Sequence, residues 1–227
     1  MKKLLPVCIA VMVMGFIFPS CKTGYIPSPV NIPLFEEKGQ FMGNVSIGYH
    51  LTAQAAYSVS DQFLIQGDLN SAPDSNLFGS QSFFNHSFGF GYYTKIDERI
   101  ASESIIGTGF GKTDDIDYFK VYLQQSFGSI NDHFEFAFTP RLTIANYQNQ
   151  DLPNNITDAT DVYLEPTFLF RAGALPIKAQ MQLGLSVPIV NESDLFSIPF
   201  YFSFGLTYKI PSSARITPPD PLQRNAN

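Results

Sequence analysis

The sequence contains few charged residues. Only 15% of its 227 residues are Asp, Glu, Lys or Arg, whereas soluble domains carry about 25%. Because 44% of the residues are hydrophobic and 15% are aromatic, we expect much of the folded surface to face something other than water. The 14 basic residues form no cluster and the net charge is -6, so the sequence predicts no nucleic-acid partner.

Cysteine is scarce and tryptophan is absent. Cys8 and Cys21 are the only cysteines, and Cys8 lies inside an apolar leader, so a disulfide framework is excluded. Any aromatic belt at a membrane interface must come from Tyr and Phe, because there is no Trp. No serine nucleophile elbow and no pair of histidines at metal-ligand spacing occurs, so the sequence predicts no cofactor, metal or catalytic residue.

The first 20 residues have the pattern of a signal peptide. Lys2 and Lys3 precede an apolar run from Leu4 to Phe18. This run is too short to read as a membrane-spanning helix and fits an export signal.

The end of this leader resembles the lipobox of bacterial lipoproteins. Ser20 and Cys21 fit that pattern, whereas Phe18 and Pro19 replace its usual Leu and small residue. The resemblance implies that Cys21 is lipidated and becomes the mature N-terminus, which would hold the protein on a membrane. A plain signal peptide is the alternative.

Apolar and small polar residues alternate with period two through the rest of the chain. In residues 177–187, Ile, Ala, Met, Leu, Leu and Val alternate with Lys, Gln, Gln, Gly and Ser. Such alternation over about 10 residues is typical of strands that separate two unlike environments. The pattern predicts ten strands, at about 41–49, 51–59, 63–69, 83–94, 99–111, 118–128, 133–144, 162–172, 177–188 and 198–209.

The charge on each strand face indicates which face is outside. The apolar faces contain no Lys, Arg, Asp or Glu, and the opposite faces carry about one charge per strand among Gly, Ser, Gln and Asn. A soluble sandwich or lipocalin-like barrel would have a wet face dense in Lys and Glu. The pattern favours an all-β antiparallel transmembrane β-barrel of about ten strands, with eight or twelve as alternatives, whose apolar faces contact lipid.

The predicted connections alternate in length, as in outer-membrane barrels with short periplasmic turns and longer external loops. Ten strands place both termini in the periplasm and require a tight hairpin at Gly48-Tyr49-His50. Pro140 and Pro166 fall inside strands, where each removes a ladder hydrogen bond. Short links near 60–62, 95–98, 129–132 and 173–176 alternate with longer links near 70–82, 112–117, 145–161 and 189–197.

Residues 21–40 are rich in proline. Pro27, Pro29 and Pro33 favour an extended backbone, so we expect a tether between the lipidated Cys21 and a barrel of residues 41–210. Residues 211–227 are expected to form a disordered periplasmic tail. The segments 25–27, 31–35, 38–39 and 54–58 read Tyr-Ile-Pro, Asn-Ile-Pro-Leu-Phe, Lys-Gly and Gln-Ala-Ala-Tyr-Ser. They resemble the opening of a group of largely uncharacterised outer-membrane β-barrel lipoproteins, which implies location and fold and no activity.

Nine charged residues fall on the faces predicted to line the lumen. Their nearly balanced charge predicts internal ion pairs and a lumen filled by side chains, with a narrow passive pore as the alternative. Glycines at 107, 109 and 111 leave room for side chains opposite them in a narrow lumen. The nine residues are Asp68, Glu103, Lys120, Glu135, Arg141, Glu165, Arg171, Lys178 and Lys209.

Two further groups of residues fall near the predicted outer rim. His50, His86, Asp68 and Asp74 invite comparison with omptin proteases, which are ten-stranded barrels with Asp and His pairs at the rim, so a rim-site enzyme is a further alternative. Two acidic groups match no EF-hand spacing and are expected to be solvated loop carboxylates. These groups are Asp114, Asp115 and Asp117, and Asp151, Asp158 and Asp161.

The leading hypothesis is an outer-membrane β-barrel lipoprotein with a structural or interaction role. Its expected partners are outer-membrane lipid and a periplasmic or surface protein that contacts the tether, the tail or the loops. The N-terminus is expected to be lipid-anchored on the periplasmic side of the outer membrane.

Overall fold

The computed structural model describes residues 23–72, 82–113, 116–131, 133–148, 158–193 and 195–210. No helix in these ranges is long and apolar enough to cross a membrane. The strands are β1 (Thr23–Tyr25), β2 (Phe41–Gly48), β3 (Leu51–Ser58), β4 (Phe63–Ala72), β5 (Phe83–Asp97), β6 (Ile100–Thr113), β7 (Ile116–Ser129), β8 (Phe134–Gln148), β9 (Asp158–Ala174), β10 (Ile177–Leu185), β11 (Val187–Asn191), β12 (Phe196–Ser197) and β13 (Phe200–Ile210).

Ten of these strands form a closed antiparallel barrel. Strands β2 to β10 pair each with the next, β10 pairs with β13, and β13 pairs back with β2. Strand β11 continues the line of β10 along β9. The predicted class and strand number are therefore confirmed, and each of the ten predicted strands has a counterpart.

The two faces of the barrel wall differ as the alternation predicts. Apolar side chains point outward, as Val45 and Leu206 show with 58% and 61% of their surface exposed. The intervening residues point inward and are mostly buried, as in the strict alternation of β3 and β10. The barrel thus has an apolar outer surface and a polar interior.

The two ends of the barrel are unlike. We call the "turn end" the one that carries the short links after β3, β5, β7 and β9, and the "loop end" the opposite one. The predicted hairpin occurs at the loop end, where the Gly48 N–H donates to the His50 carbonyl at 3.1 Å. The β6–β7 link is an exception among the longer connections, because these strands extend to Thr113 and resume at Ile116.

Inward-facing glycines make room for tyrosine rings on the neighbouring strand. A Cβ atom at Gly107 would lie 2.2 Å from the Tyr122 ring, which belongs to the cross-strand partner of that glycine. The pair Gly184 and Tyr201 has the same relationship, at 2.3 Å. A narrow interior can hold these large rings because the residue beneath each has no side chain.

The two in-strand prolines lie opposite each other. Pro140 and Pro166 are cross-strand partners in the β8–β9 ladder. The β7–β8 pairing is interrupted between Arg141 and Phe138, and the pairing of β9 with β10 and β11 is interrupted between 184 and 187, opposite 165 and 166. The missing proline N–H groups therefore coincide with gaps in the adjoining ladders, which allows a closed barrel to contain them.

Candidate functional site, the barrel lumen

The lumen contains the N-terminal part of the chain. Residues 24–34 are all buried, and Tyr25, Val30, Ile32, Leu34 and Phe35 are 0% exposed. We call residues 23–35 the lumen segment. Their position differs from that expected of a tether beyond the barrel, because their apolar side chains are enclosed by the barrel wall.

Inward-facing side chains bind the backbone of the lumen segment. Six of its carbonyl groups accept a hydrogen bond from a side chain, and these donors come from six strands around the barrel. Because these strands surround the segment, it lies inside the barrel and not against one side. The bonds are Arg141 Nη2 to Ser28 O at 3.1 Å, Gln54 Nε2 to Pro29 O at 2.8 Å, Gln182 Nε2 to Val30 O at 2.8 Å, Gln124 Nε2 to Asn31 O at 2.8 Å, Arg171 Nη2 to Ile32 O at 2.7 Å and Lys209 Nζ to Leu34 O at 2.8 Å.

The prolines of the lumen segment suit this environment. A buried backbone N–H without a partner costs about 1–3 kcal/mol, and proline has none. Side chains of the barrel wall donate to six carbonyl groups of the segment, so a segment with fewer N–H groups to satisfy fits this lumen better. Of the remaining N–H groups, that of Val30 donates to Gln182 Oε1 at 3.0 Å and that of Phe35 donates to Glu103 Oε1 at 3.0 Å.

The segment runs from the loop end to the turn end. The Tyr25 ring stacks on Tyr163 at 4.4 Å, within an apolar cluster that includes Phe83 and Ile116 at the first residues of β5 and β7. At the other end, Phe35 packs near Tyr93, ring to ring at 6.0 Å. The chain then reaches the turn end, where the Gly39 N–H donates to the Ser58 carbonyl at 2.9 Å.

A cluster of charges lies near the turn end. The Glu135 carboxylate is 3.0 Å from Arg171 Nη1, 2.9 Å from Lys178 Nζ and 3.9 Å from Lys209 Nζ. All four side chains are buried. Arg171 and Lys209 also hold carbonyls of the lumen segment, so one carboxylate orients two cations that bind the backbone.

A second buried pair lies midway along the lumen. Arg141 Nε is 2.8 Å from Glu165 Oε2, and the Tyr25 hydroxyl donates to Glu165 Oε1 at 3.1 Å. The Arg141 guanidinium also lies 5.7 Å from the centre of the Tyr122 ring. Burying an ion pair is costly unless its remaining donors and acceptors are also hydrogen-bonded. The lumen segment supplies two of these partners, because the Ser28 carbonyl accepts from Arg141 and the Tyr25 hydroxyl donates to Glu165.

The other predicted lumen charges are also buried on the inside. Asp68 accepts hydrogen bonds from Asn70 Nδ2 at 2.7 Å and from the Ser87 hydroxyl. Glu103 binds the Phe35 N–H, and Lys120 is 1% exposed. All nine residues that the sequence places in the lumen are therefore buried inside the barrel.

The predicted rim residues do not converge. His86 lies on the outer face, between the rings of Phe84 and Phe110, whereas the neighbouring Asp68 points inward. His50 is buried at the loop end beside Phe83, and burial, reinforced by the positive charge of Lys120, lowers its pKa to about 4. Asp74 lies outside the described residues, so the three described members of this group form no common site.

One predicted loop carboxylate is part of the buried structure. Asp161 lies in β9 with 0% exposure, which corrects the expectation of a solvated loop residue. It accepts hydrogen bonds from the Tyr163 hydroxyl at 2.9 Å and the Ser193 hydroxyl at 2.6 Å. Strand β9 begins at Asp158, earlier than the alternation suggests. Among the described acidic and histidine residues, no cluster that could hold a metal ion is present.

One sequence pattern indicates that the lumen segment is buried, and an exposed tether does not explain it. Val30, Ile32 and Leu34 alternate with Asn31 and Pro33, an apolar content unusual in an exposed linker. Cys21, residues 114–115, residue 151 and the tail of residues 211–227 lie outside the described residues.

Comparison with known proteins identifies no family for this chain. No family model matches the chain and no curated protein matches it. Two similar solved structures are a KdgM porin and a KdgM porin in complex with disordered oligogalacturonate; each is 10% identical with a TM-score of 0.37, over 76% of this chain and 99% of that chain. At this identity and TM-score the similarity says nothing about a ligand of this chain.

Proposed function

We propose that the protein is an outer-membrane β-barrel whose lumen is closed by its own N-terminal segment, with a structural or interaction role and no catalytic one. The observation that carries this proposal is the lumen segment, which is bound through its backbone along the interior of the barrel. Outer-membrane lipid is then the main partner, and protein partners contact the loops.

The outer surface supports insertion in a membrane. On the described strands, charged side chains with exposed surface lie at strand ends, such as Lys95 and Asp97 at the turn end and Lys112 and Asp117 at the loop end. Between them the outward residues are uncharged when His is neutral, and apart from His86 and Gln125 they are mostly apolar or small. A band of this kind is what lipid requires, since a charge at the bilayer midplane costs about 2–4 kcal/mol in a barrel.

The interior supports a closed lumen. Expelling the lumen segment would uncover the apolar side chains of Ile32, Leu34 and Phe35, each of which gains about 1.5–3 kcal/mol from burial. It would also leave Arg141 and Arg171 without the carbonyls they bind. These costs favour the occupied state over the narrow passive pore.

Conductance in a planar bilayer tests the proposal. We expect the folded wild-type protein to produce no stable channel steps. A variant in which residues 24–35 are replaced by a Gly/Ser sequence of equal length should produce steps, because the replacement loses the apolar anchors and the prolines. Heat-dependent gel mobility would establish that each barrel is folded. Stable channel steps from the folded wild-type protein would contradict the closed lumen.

A further inference from the structure

We infer that the chain passes through its own barrel, so that a lipid on Cys21 enters the leaflet at the loop end. This inference rests on the proposed membrane insertion. It places the lipid anchor on the external side, where the loops lie, and not on the periplasmic side. The acyl chains attached to Cys21 would then insert among the acyl chains of the external leaflet.

The contacts of the lumen segment follow one direction. Tyr25 lies against the loop-end cluster, Val30 binds Gln182 in the middle of β10, and Leu34 binds Lys209 one residue before the end of β13. Each later residue thus contacts the barrel closer to the turn end. The segment spans the barrel and does not fold back within it.

The length of the segment agrees with a complete crossing. An extended, proline-rich backbone advances about 3.1 Å per residue, so the nine steps from Tyr25 to Leu34 cover roughly 28 Å. The apolar band of an outer-membrane barrel is about 25 Å tall. The described segment is therefore long enough to join the two mouths of the barrel.

A short parallel ladder fixes the point at which the chain enters the barrel. Thr23 pairs with Phe196 and Tyr25 pairs with Ser197. Strand β12 belongs to the connection between β11 and β13, which is at the loop end. The described chain therefore begins at that mouth with Thr23, two residues after Cys21 in the sequence.

The other terminus of the barrel lies at the opposite mouth. Ile210, the last residue of β13, pairs with Phe41 at the start of β2, and Phe41 pairs with Tyr57 beside the first short turn. The chain therefore enters the barrel at the loop end and leaves it at the turn end. Thr23 and Ile210, the first and last described residues, therefore lie at opposite mouths of the barrel.

Accessibility of the two termini in intact cells tests this inference. One full-length variant carries an epitope tag between Lys22 and Thr23, and its matched control carries the same tag after Asn227. We expect antibody to bind the first on intact cells and the second only after the outer membrane is permeabilised. Lys22→Cys, labelled with a membrane-impermeant maleimide, repeats the test without an insertion.

Two marker variants separate this inference from the proposed function. Asp158→Cys reports the loop end and Glu98→Cys reports the turn end, and both positions are exposed. If Asp158→Cys labels in intact cells and Glu98→Cys only after permeabilisation, the barrel is inserted as proposed. If in addition residue 22 is reached only after permeabilisation, the threading is overturned while the membrane barrel stands. If the two markers label alike in intact cells, both proposals fail.

Discussion

The side-chain amide of Gln182 binds both backbone polar groups of Val30. Gln182 Oε1 accepts the Val30 N–H at 3.0 Å, and Gln182 Nε2 donates to the Val30 carbonyl at 2.8 Å. This is the pairing that a neighbouring strand would offer, made here by one side chain of β10. It joins the lumen segment to the barrel wall near the middle of the interior.

We expect Gln182→Leu to lower the free energy of unfolding. Leucine leaves the N–H and carbonyl of Val30 buried without these partners, and each such loss costs about 1–3 kcal/mol. Urea titration of the protein in detergent micelles measures the change. Gln62→Leu, in the exposed turn after β3, is the control and should change stability little. Equal effects of the two substitutions would contradict the proposed contact.

Arg141 and Glu165 should show strong energetic coupling. Breaking a buried ion pair by removing one partner costs about 3–5 kcal/mol, because the other charge stays buried. We expect Arg141→Met and Glu165→Met each to destabilise the barrel, and the double variant to lose less than the sum. The exposed pair Lys112 and Asp117, at 3.7 Å, gives the control cycle and should couple by less than about 1 kcal/mol. Additive losses in the buried pair would count against this interaction.

Gly184→Ala should destabilise the barrel although it adds a single methyl group. The new Cβ would lie 2.3 Å from the Tyr201 ring, and overpacking of this kind costs about 1–3 kcal/mol. Gly43→Ala is the matched control, because its Cβ would meet nothing closer than Phe41 Cε1 at 3.4 Å. Thermal unfolding of both variants, followed by gel mobility, should rank Gly184→Ala well below wild type and Gly43→Ala near it.

His50 should make stability depend on pH. Its pKa in the folded protein, lowered by burial to about 4, lies below the ordinary value of 6.5. The unfolded chain therefore takes up the proton first, and stability should fall as pH decreases from about 6.5 to about 4, by at most about 3 kcal/mol.

The control for His50 is His50→Gln, which keeps a polar side chain that does not titrate. Urea titrations at pH 7.5 and pH 4.5 should show a smaller stability difference for this variant than for wild type. The same difference in both proteins would show that other groups cause the dependence.

The sequence predicts the barrel well because period-two alternation directly reflects a wall with two unlike faces. Charge on each face then gives the orientation, and it also identifies the lumen residues Arg171 and Lys209. The alternation does not predict the groups that these two cations bind, because it carries no information about what fills the interior. Pro29 and Pro33 are equally compatible with an exposed linker and with a buried extended segment, because neither kind of segment needs regular backbone pairing.

Register is the other feature that sequence patterns leave open. Pro140 and Pro166 each look like a defect when a strand is considered alone. Their positions opposite each other, beside gaps in the adjoining ladders, depend on the alignment of four strands. Asp161 likewise appears to be a loop residue until the true start of β9 is known.

The position of residues 23–35 inside the barrel is tested most directly by cross-linking Val30→Cys to Gln182→Cys with a short bifunctional thiol reagent in the outer-membrane fraction. In the wild-type protein the Gln182 side chain fills the space between the backbones of residues 30 and 182. A short linker therefore spans this gap better than a direct disulfide. The matched control pairs Val30→Cys with Leu183→Cys, the next residue of β10, which points outward. We predict an intramolecular cross-link for Gln182→Cys and none for Leu183→Cys. No cross-link at 182, or equal cross-linking at both positions, would contradict a chain that lies inside its own barrel.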